Sequence, residues 1–257
     1  MRGKKIALHL ITLIVFVFTL HINASQAVNH TPESSEKKTH VSQSPAMDPN
    51  LILEKLIKGN ERFAEGLLVH PHLDEHTRIK TARDGQKPLV SILSCSDSRV
   101  PTEVIFDMGI GDIFVIRVAG NIADKSEIGS LEYGAGHLGT KLIMVLGHTK
   151  CGAVTAVVKG DEITGNIMSF VDNIKPAVDA VRRQSKGTSP EDLIFNSVKA
   201  NIWQSIEDIL KQSSTIRSLV KSGKVKIVGA IYDIETGKVT NLGTHWRQEQ
   251  ILRAYAK

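Results

Sequence analysis

Two cysteines, Cys95 and Cys151, occur in the 257 residues, and a histidine stands three places before the second, in His148-Thr149-Lys150-Cys151. Thiolates combined with imidazole form a donor set that favours zinc over magnesium or calcium. Three protein ligands leave one coordination position open, as in catalytic zinc sites; structural sites close all four. That position could take water or the carboxylate of Asp97. Asp97 and Arg99 lie two residues apart in Cys95-Ser96-Asp97-Ser98-Arg99-Val100-Pro101. As a surface pair they would add little stability. Beside a metal, Arg99 would keep Asp97 ionised and hold it as an acceptor next to a metal-bound hydroxide.

Two other chemistries compete for the same residues. In an exported chain, two cysteines read first as one disulfide. That reading leaves the H-x-x-C spacing and the Asp97/Arg99 pair without a use. A cysteine nucleophile is the other. A phosphatase-like loop needs its arginine six places after the cysteine, and Arg99 is four after Cys95; a C-x-x-C redox pair is absent. On these residues alone the metal centre and the disulfide both stand.

The elements that must position these groups are visible as apolar runs. Residues 88–94 (PLVSILS) end at Cys95, and residues 142–146 (LIMVL) end at Gly147-His148. Residues 113–116 (IFVI) and 225–232 (VKIVGAIY) are two more such runs. Uniformly apolar strands suit a parallel sheet buried on both faces. Helical stretches fall at 127–138, from 152 to 158 and beyond, at 166–183 and at 190–212. The alternation predicts an α/β fold with a mainly parallel central β-sheet flanked by helices. Residues 225–242 also read as a hairpin turning at Glu235-Thr236-Gly237. An N-terminal helical arm is expected over 48–65, from Asp48-Pro49 at its start and Leu53, Leu56, Ile57, Asn60 and Phe63 at steps of three and four. Both cysteines and His148 then arrive at the C-terminal edge of the sheet, where ligands collect in open α/β folds.

The first residues have another purpose. Arg2, Lys4 and Lys5 precede an apolar run over 6–20, and Ala24, Ser25 and Ala27 follow it. This is the layout of a signal peptide over residues 1–27, with Ser25 and Ala27 at the −3 and −1 places of a cleavage site. The run is short for a membrane anchor. Residues 28–47 are polar and Pro-containing and read as a flexible linker, leaving a domain over 48–257. The formal charge is +5, and removing residues 1–27 takes away three Lys/Arg and no acid, leaving a balance of +2. Neither nucleic acid nor a membrane surface is therefore expected as a partner once the signal is cleaved. The expected location is the bacterial periplasm.

The run CSDSRVP at 95–101, with GHTKCGAV at 147–154, resembles the signature of the β-class carbonic anhydrases. GNERF at 59–63, QKP at 86–88, FVIRVAGN at 114–121, GSLEYG at 129–134 and YDIETGKV at 232–239 extend the resemblance over roughly residues 50 to 245. It implies zinc held by Cys95, His148 and Cys151, a catalytic dyad of Asp97 and Arg99, and a backbone N–H of Gly152 near the substrate. The implied reaction is the reversible hydration of carbon dioxide to bicarbonate and a proton, in a homodimer or homotetramer with the active cleft at a subunit interface.

Alternatives within that resemblance are hydrolysis of carbon disulfide or carbonyl sulfide on the same fold, and a non-catalytic exported zinc-binding or disulfide-stabilised protein. Family members exist in two states: Asp97's counterpart either binds zinc as a fourth ligand or pairs with the arginine. The tryptophan of members that close in response to bicarbonate is absent from the N-terminal region, since the only tryptophans are Trp203 and Trp246. An open site, with water on zinc, is expected above about pH 8. Met108 stands in FDMGIGD where many open-site members carry Gln, and it cannot donate a hydrogen bond to bicarbonate. His70, His72 and His76 are candidates for a proton shuttle only by their proximity to the N-terminal helix, and they read first as solvated loop histidines.

Overall fold

The computed structural model describes residues 47–185 and 187–255; the expected signal peptide and all but the last residue of the expected linker lie outside them. Helix α1 (Pro49–Glu65) opens with Asp48 accepting the Asn50 N–H at 2.7 Å and closes on Gly66 in the left-handed conformation. Helix α2 (Glu75–Asp84), not anticipated from the sequence, buries no residue and starts on the Asp74 cap. Then come strand β1 (Val90–Ser94), the short helix α3 (Thr102–Ile105), strand β2 (Ile113–Arg117), helix α4 (Lys125–Glu132) and strand β3 (Leu142–His148). Helices α5 (Gly152–Lys159), α6 (Met168–Gln184), α7 (Pro190–Gln212) and α8 (Ser214–Lys221) follow. The chain finishes with strands β4 (Lys226–Tyr232) and β5 (Val239–Gly243) and helix α9 (Gln248–Ala254).

The five strands form one sheet in the order β2-β1-β3-β4-β5, parallel except for β5, which pairs antiparallel to β4 as the predicted hairpin requires. Every residue of β1 and β3 is buried. Alternation along the strands divides the core into two layers. Val90, Ile92, Leu142, Met144, Leu146 and Val228 face one way, onto Ile52, Leu53 and Leu56 of α1 and Ile105 and Phe106 at the end of α3. Leu93, Ile143, Val145, Ile227 and Ile231 face the other way, onto α4 to α9. The apolar face of α1 thus packs against this chain's own sheet.

The long helix α7 lies across the second layer. A side chain on Gly147 would stand 2.6 Å from Ile202 Cδ1, so the missing Cβ is what lets α7 approach β3 so closely. The helix expected over 127–138 differs at both ends. Asp124 and Glu127 form a capping box that starts α4 two residues earlier, and a π-helical turn over Tyr133–His137 replaces its last part.

The loop between α3 and β2 ties down the chain after α1. The buried Asp107 carboxylate accepts from Arg62 Nε at 2.7 Å, from the His70 N–H at 2.9 Å and from the Val69 N–H at 3.1 Å. Burial works to raise its pKa, but these donors outweigh it and hold the group below the ordinary carboxylate value. A depressed folded-state pKa means that this stabilisation is present above about pH 4 and is lost as pH falls through the folded value. Asp107→Asn is expected to lower unfolding free energy by about 2 kcal/mol at neutral pH. Denaturant titrations should show the gap to wild type narrowing below about pH 4; a gap independent of pH would contradict the charge-based account.

Candidate metal centre

β1 and β3 are neighbours in parallel register, Ser94 opposite Leu146, so the loops leaving them start side by side. Cys95 follows β1, His148 is the last residue of β3, and Cys151 sits at the N-cap of α5. Their ligand atoms all lie within 4.8 Å of one another, and all three residues are buried. Both thiols are free, so the disulfide alternative is not what the structure shows.

The imidazole is set up to bind a metal through one nitrogen. His148 Nδ1 lies 2.9 Å from the Thr149 carbonyl oxygen, which can only accept, so Nδ1 carries the proton. The lone pair is then on Nε2, a buried atom with no hydrogen-bond partner among the described residues. An unpaired buried nitrogen is costly and calls for a partner that the polypeptide does not supply. The two thiols point the same way. Cys95 is lowered first by its interaction with the Cys151 thiol, against its burial, with the Asp97 and Gly120 amides assisting. Cys151 is raised by that interaction and by its burial, with the Val154 and Ala153 amides pulling the other way. The pair accommodates one negative charge readily and a second only with a cation between them. The donor set fits zinc.

Asp97 stands over this cluster, with Oδ2 3.8 Å from His148 Nε2. Arg99 grips both of its oxygens, Nε to Oδ1 at 2.9 Å and Nη2 to Oδ2 at 2.7 Å, and the Arg99 amide adds a third bond to Oδ1. These bonds hold the carboxyl well below the usual carboxylate range although partial burial acts the other way. Arg99 Nη2 also donates to the Lys150 carbonyl at 3.2 Å, linking the two strand-end loops. Lys150 adopts a left-handed φ of 56° to present that carbonyl, and its ammonium pairs with Glu235 at 2.9 Å.

Gly152 is the first residue of α5, and a side chain built on it would meet no atom within 4 Å. It lines a cavity of about 530 Å³ with Thr149, Lys150, Ile194 and Phe195. None of Cys95, Asp97, His148 and Cys151 lines that cavity, so it adjoins the metal cluster without containing it.

The remaining expectations lie elsewhere. His72 pairs with Asp112 at 2.8 Å, immediately before β2 and hence at the edge of the sheet opposite the metal cluster. His76, at the start of α2, lines the same surface as His72 and Asp112. These two are surface groups at the other end of the sheet from the site; His70 contributes its backbone amide to Asp107. Met108 is buried in the apolar layer with Ile105 and Phe106, outside the metal cluster.

Sequence reasoning passed over two groups that shape the site. Arg117, the last residue of β2, donates from Nε to the Cys95 carbonyl at 3.1 Å and from Nη2 to the Asp97 carbonyl at 2.7 Å. The Gly120 amide donates to Cys95 Sγ at 3.3 Å. Both stand within the FVIRVAGN run, which marks the stretch but not which of its groups face the cluster.

Comparison with known proteins agrees with this geometry. A family profile described as Carbonic anhydrase matches residues 90–239. Carbonic anhydrase 2 of Mycobacterium tuberculosis is 36% identical over 198 residues, covering 76% of this chain and 93% of that one. The chain belongs to the β-class carbonic anhydrases. A Coccomyxa β-carbonic anhydrase solved with acetazolamide superposes with a TM-score of 0.59 at 26% identity, covering 74% of this chain and 86% of that one. A tetrameric β-carbonic anhydrase of Sordaria macrospora gives 0.59 at 25% identity, covering 76% and 98%. The enzyme is therefore a zinc-dependent lyase that interconverts carbon dioxide and bicarbonate.

Arg117 is expected to matter through the loop it clamps. Arg117→Lys removes the planar fork that spans two carbonyls. Stopped-flow assays should show kcat/KM falling about tenfold with little change in thermal midpoint. Unchanged kinetics would mean that the loop holds its shape without the clamp.

Proposed function

We propose that Cys95, His148 and Cys151 hold the zinc of this carbonic anhydrase, that Asp97 and Arg99 act as its dyad, and that the Gly152 N–H faces the substrate. The observation that carries this reading is the unpaired His148 Nε2, converging with two free thiols beneath Asp97 Oδ2. Zinc supplies a Lewis acid with an open position, lowering the pKa of water there to about 7.

The polypeptide does the rest. Two thiolates neutralise the formal charge of the ion, which weakens it as an acid and makes the accessory carboxylate matter more. Asp97, with both oxygens bonded by Arg99, is turned away from acting as a fourth ligand and is left as an acceptor. One of its oxygens can take the hydrogen of the attacking water and direct the lone pair at carbon dioxide. The Gly152 amide, at the N-terminus of α5, is suited to receive negative charge as bicarbonate forms.

Zinc content and carbon dioxide hydration, measured together for wild type and Asp97→Ala, test this. Both proteins should carry one zinc per chain, and kcat/KM of the variant should fall by about a hundredfold or more. Zinc at one per chain without wild-type activity would indicate a binding protein, and neither metal nor free thiols would indicate a disulfide.

The enzyme is further proposed to be bacterial, exported to the periplasm and assembled as a homodimer or homotetramer. The charge and apolar pattern of residues 1–27 supports export. The edge of β2 not paired with β1 and the only partly buried Phe114 and Val115 support assembly. Protein recovered from its native cells should have an intact mass that begins at Val28 and should sediment as a dimer or tetramer. A chain retaining Met1, or a monomer at micromolar concentration, would overturn the corresponding half.

A further inference from the structure

Helix α7 supplies no metal ligand, yet it buries a row of polar residues, Ser197, Asn201 and Ser205, among Val198, Ile202 and Ile206. A buried polar face on a core helix lowers stability unless its groups are bonded. Here the bonding is selective. Asn201 Nδ2 donates to the Gly120 carbonyl at 2.6 Å, and Ser205 Oγ donates to the Asn121 carbonyl at 2.9 Å. Asn201 Oδ1 and Ser197 Oγ have no partner among the described residues. Asn201 is 1% exposed, so half of its amide is left unsatisfied to keep the other half on Gly120.

Gly120 is the residue that bonds Cys95. It adopts φ +71° in the short turn Ala119–Asn121, where Asn121 is left-handed as well at φ +45°, and its amide lies 3.3 Å from Cys95 Sγ. A side chain there would come within 2.6 Å of Ile174 Cδ1. Gly120 is thus confined from outside by α6, while α7 fixes the carbonyl of the peptide that follows it. Because α7 seats Ile202 against the missing Cβ of Gly147 on β3, Asn201 is itself placed relative to the strand that ends in His148.

We infer that Asn201 is a positioning residue for the metal, holding Gly120 so that its amide hydrogen-bonds the Cys95 sulfur. The bond draws electron density from the thiolate. It thereby sets how much charge that ligand donates to the ion, and fixes the direction of the sulfur lone pairs. This rests on Cys95 being a zinc ligand, and the test separates the two claims.

The full chain is loaded with zinc for chelator competition and with cobalt(II) for absorption spectroscopy, as wild type, Asn201→Leu and Ser205→Ala. Leucine fills the volume of Asn201 without its donor. Ser205→Ala removes a neighbouring bond from the same helix to the same turn but leaves Gly120 held. Asn201→Leu should weaken zinc binding by about tenfold and shift the thiolate-to-cobalt charge-transfer band to longer wavelength, because an unbonded sulfur gives up electrons more easily. Ser205→Ala should lower the thermal midpoint but leave both metal readouts at their wild-type values. If Asn201→Leu does not fold, Asn201→Ala carries the same measurements. Unchanged affinity and an unshifted band in the Asn201 variant overturn the inference, as does an equal change in both variants, which would mean general loosening of the turn. A wild-type protein without a thiolate–cobalt band would instead overturn the assignment of Cys95.

Discussion

Two buried thiols and a buried imidazole lone pair brought within 4.8 Å of each other form an arrangement that protein atoms alone do not satisfy. Their interaction and burial pull Cys95 down and push Cys151 up, so the pair favours a single negative charge, and His148 has turned its only N–H away, onto the Thr149 carbonyl. A divalent cation answers all three demands at once. The rest of the molecule can be understood as the means of holding that unmet need in place. Parallel strands β1 and β3 deliver the two loops to one edge, and the core on both faces of the sheet keeps that edge from yielding. Removing the cation would leave a buried donor set in conflict with its surroundings.

The loops around the cluster are tied to each other more than to the solvent. Arg117 reaches from β2 to the carbonyls on either side of Ser96, Arg99 joins the Asp97 carboxylate to the Lys150 carbonyl, and Lys150 is anchored in turn to Glu235 in the β4–β5 turn. Each arginine donates to backbone carbonyls. Those bonds do not depend on the side chains of the acceptors, so they fix loop shape whatever the neighbouring residues do. The strained φ at Lys150 is consistent with this: the backbone is bent to meet the guanidinium.

The fold was legible wherever burial was complete. Strands buried on both faces leave almost unbroken apolar runs, so β1, β3 and β4 stand out, and each ends at or close to the residues that carry chemistry. Helix α2 buries nothing and therefore has no apolar period to read. The expected α-helical end of α4 became a π-turn around Tyr133, where Gly134 packs against Ser91 and the backbone follows that contact instead of propensity. The metal cluster was legible because its chemistry resides in side chains with a distinctive spacing. The Gly120 amide is a backbone group and Arg117 acts on backbone carbonyls; neither has a residue type or spacing that points to the Cys95 sulfur or to the loop that carries Asp97. The histidines of the N-terminal region keep their first reading as solvated groups: nearness along the chain to α1 implied nothing about the metal edge, because the chain there runs to the opposite end of the sheet.

Helix α7 shows why such second contacts escape a reading based on periodicity. Its Val198, Ile202, Ile206 and Ile209 satisfy the helical period and account for its packing, so the polar residues beside them look like an imperfect amphipathic pattern. They are buried, however, and a core designed only for stability would replace them with Ala or Leu. The sheet accepts the polar row because a missing Cβ at Gly147 lets the whole helix settle deeply enough for Asn201 and Ser205 to reach the carbonyls of Gly120 and Asn121. A glycine in the strand and an asparagine in the helix thus act together on a turn that belongs to neither. The close packing that stabilises the domain is the same packing that delivers an N–H to the Cys95 sulfur.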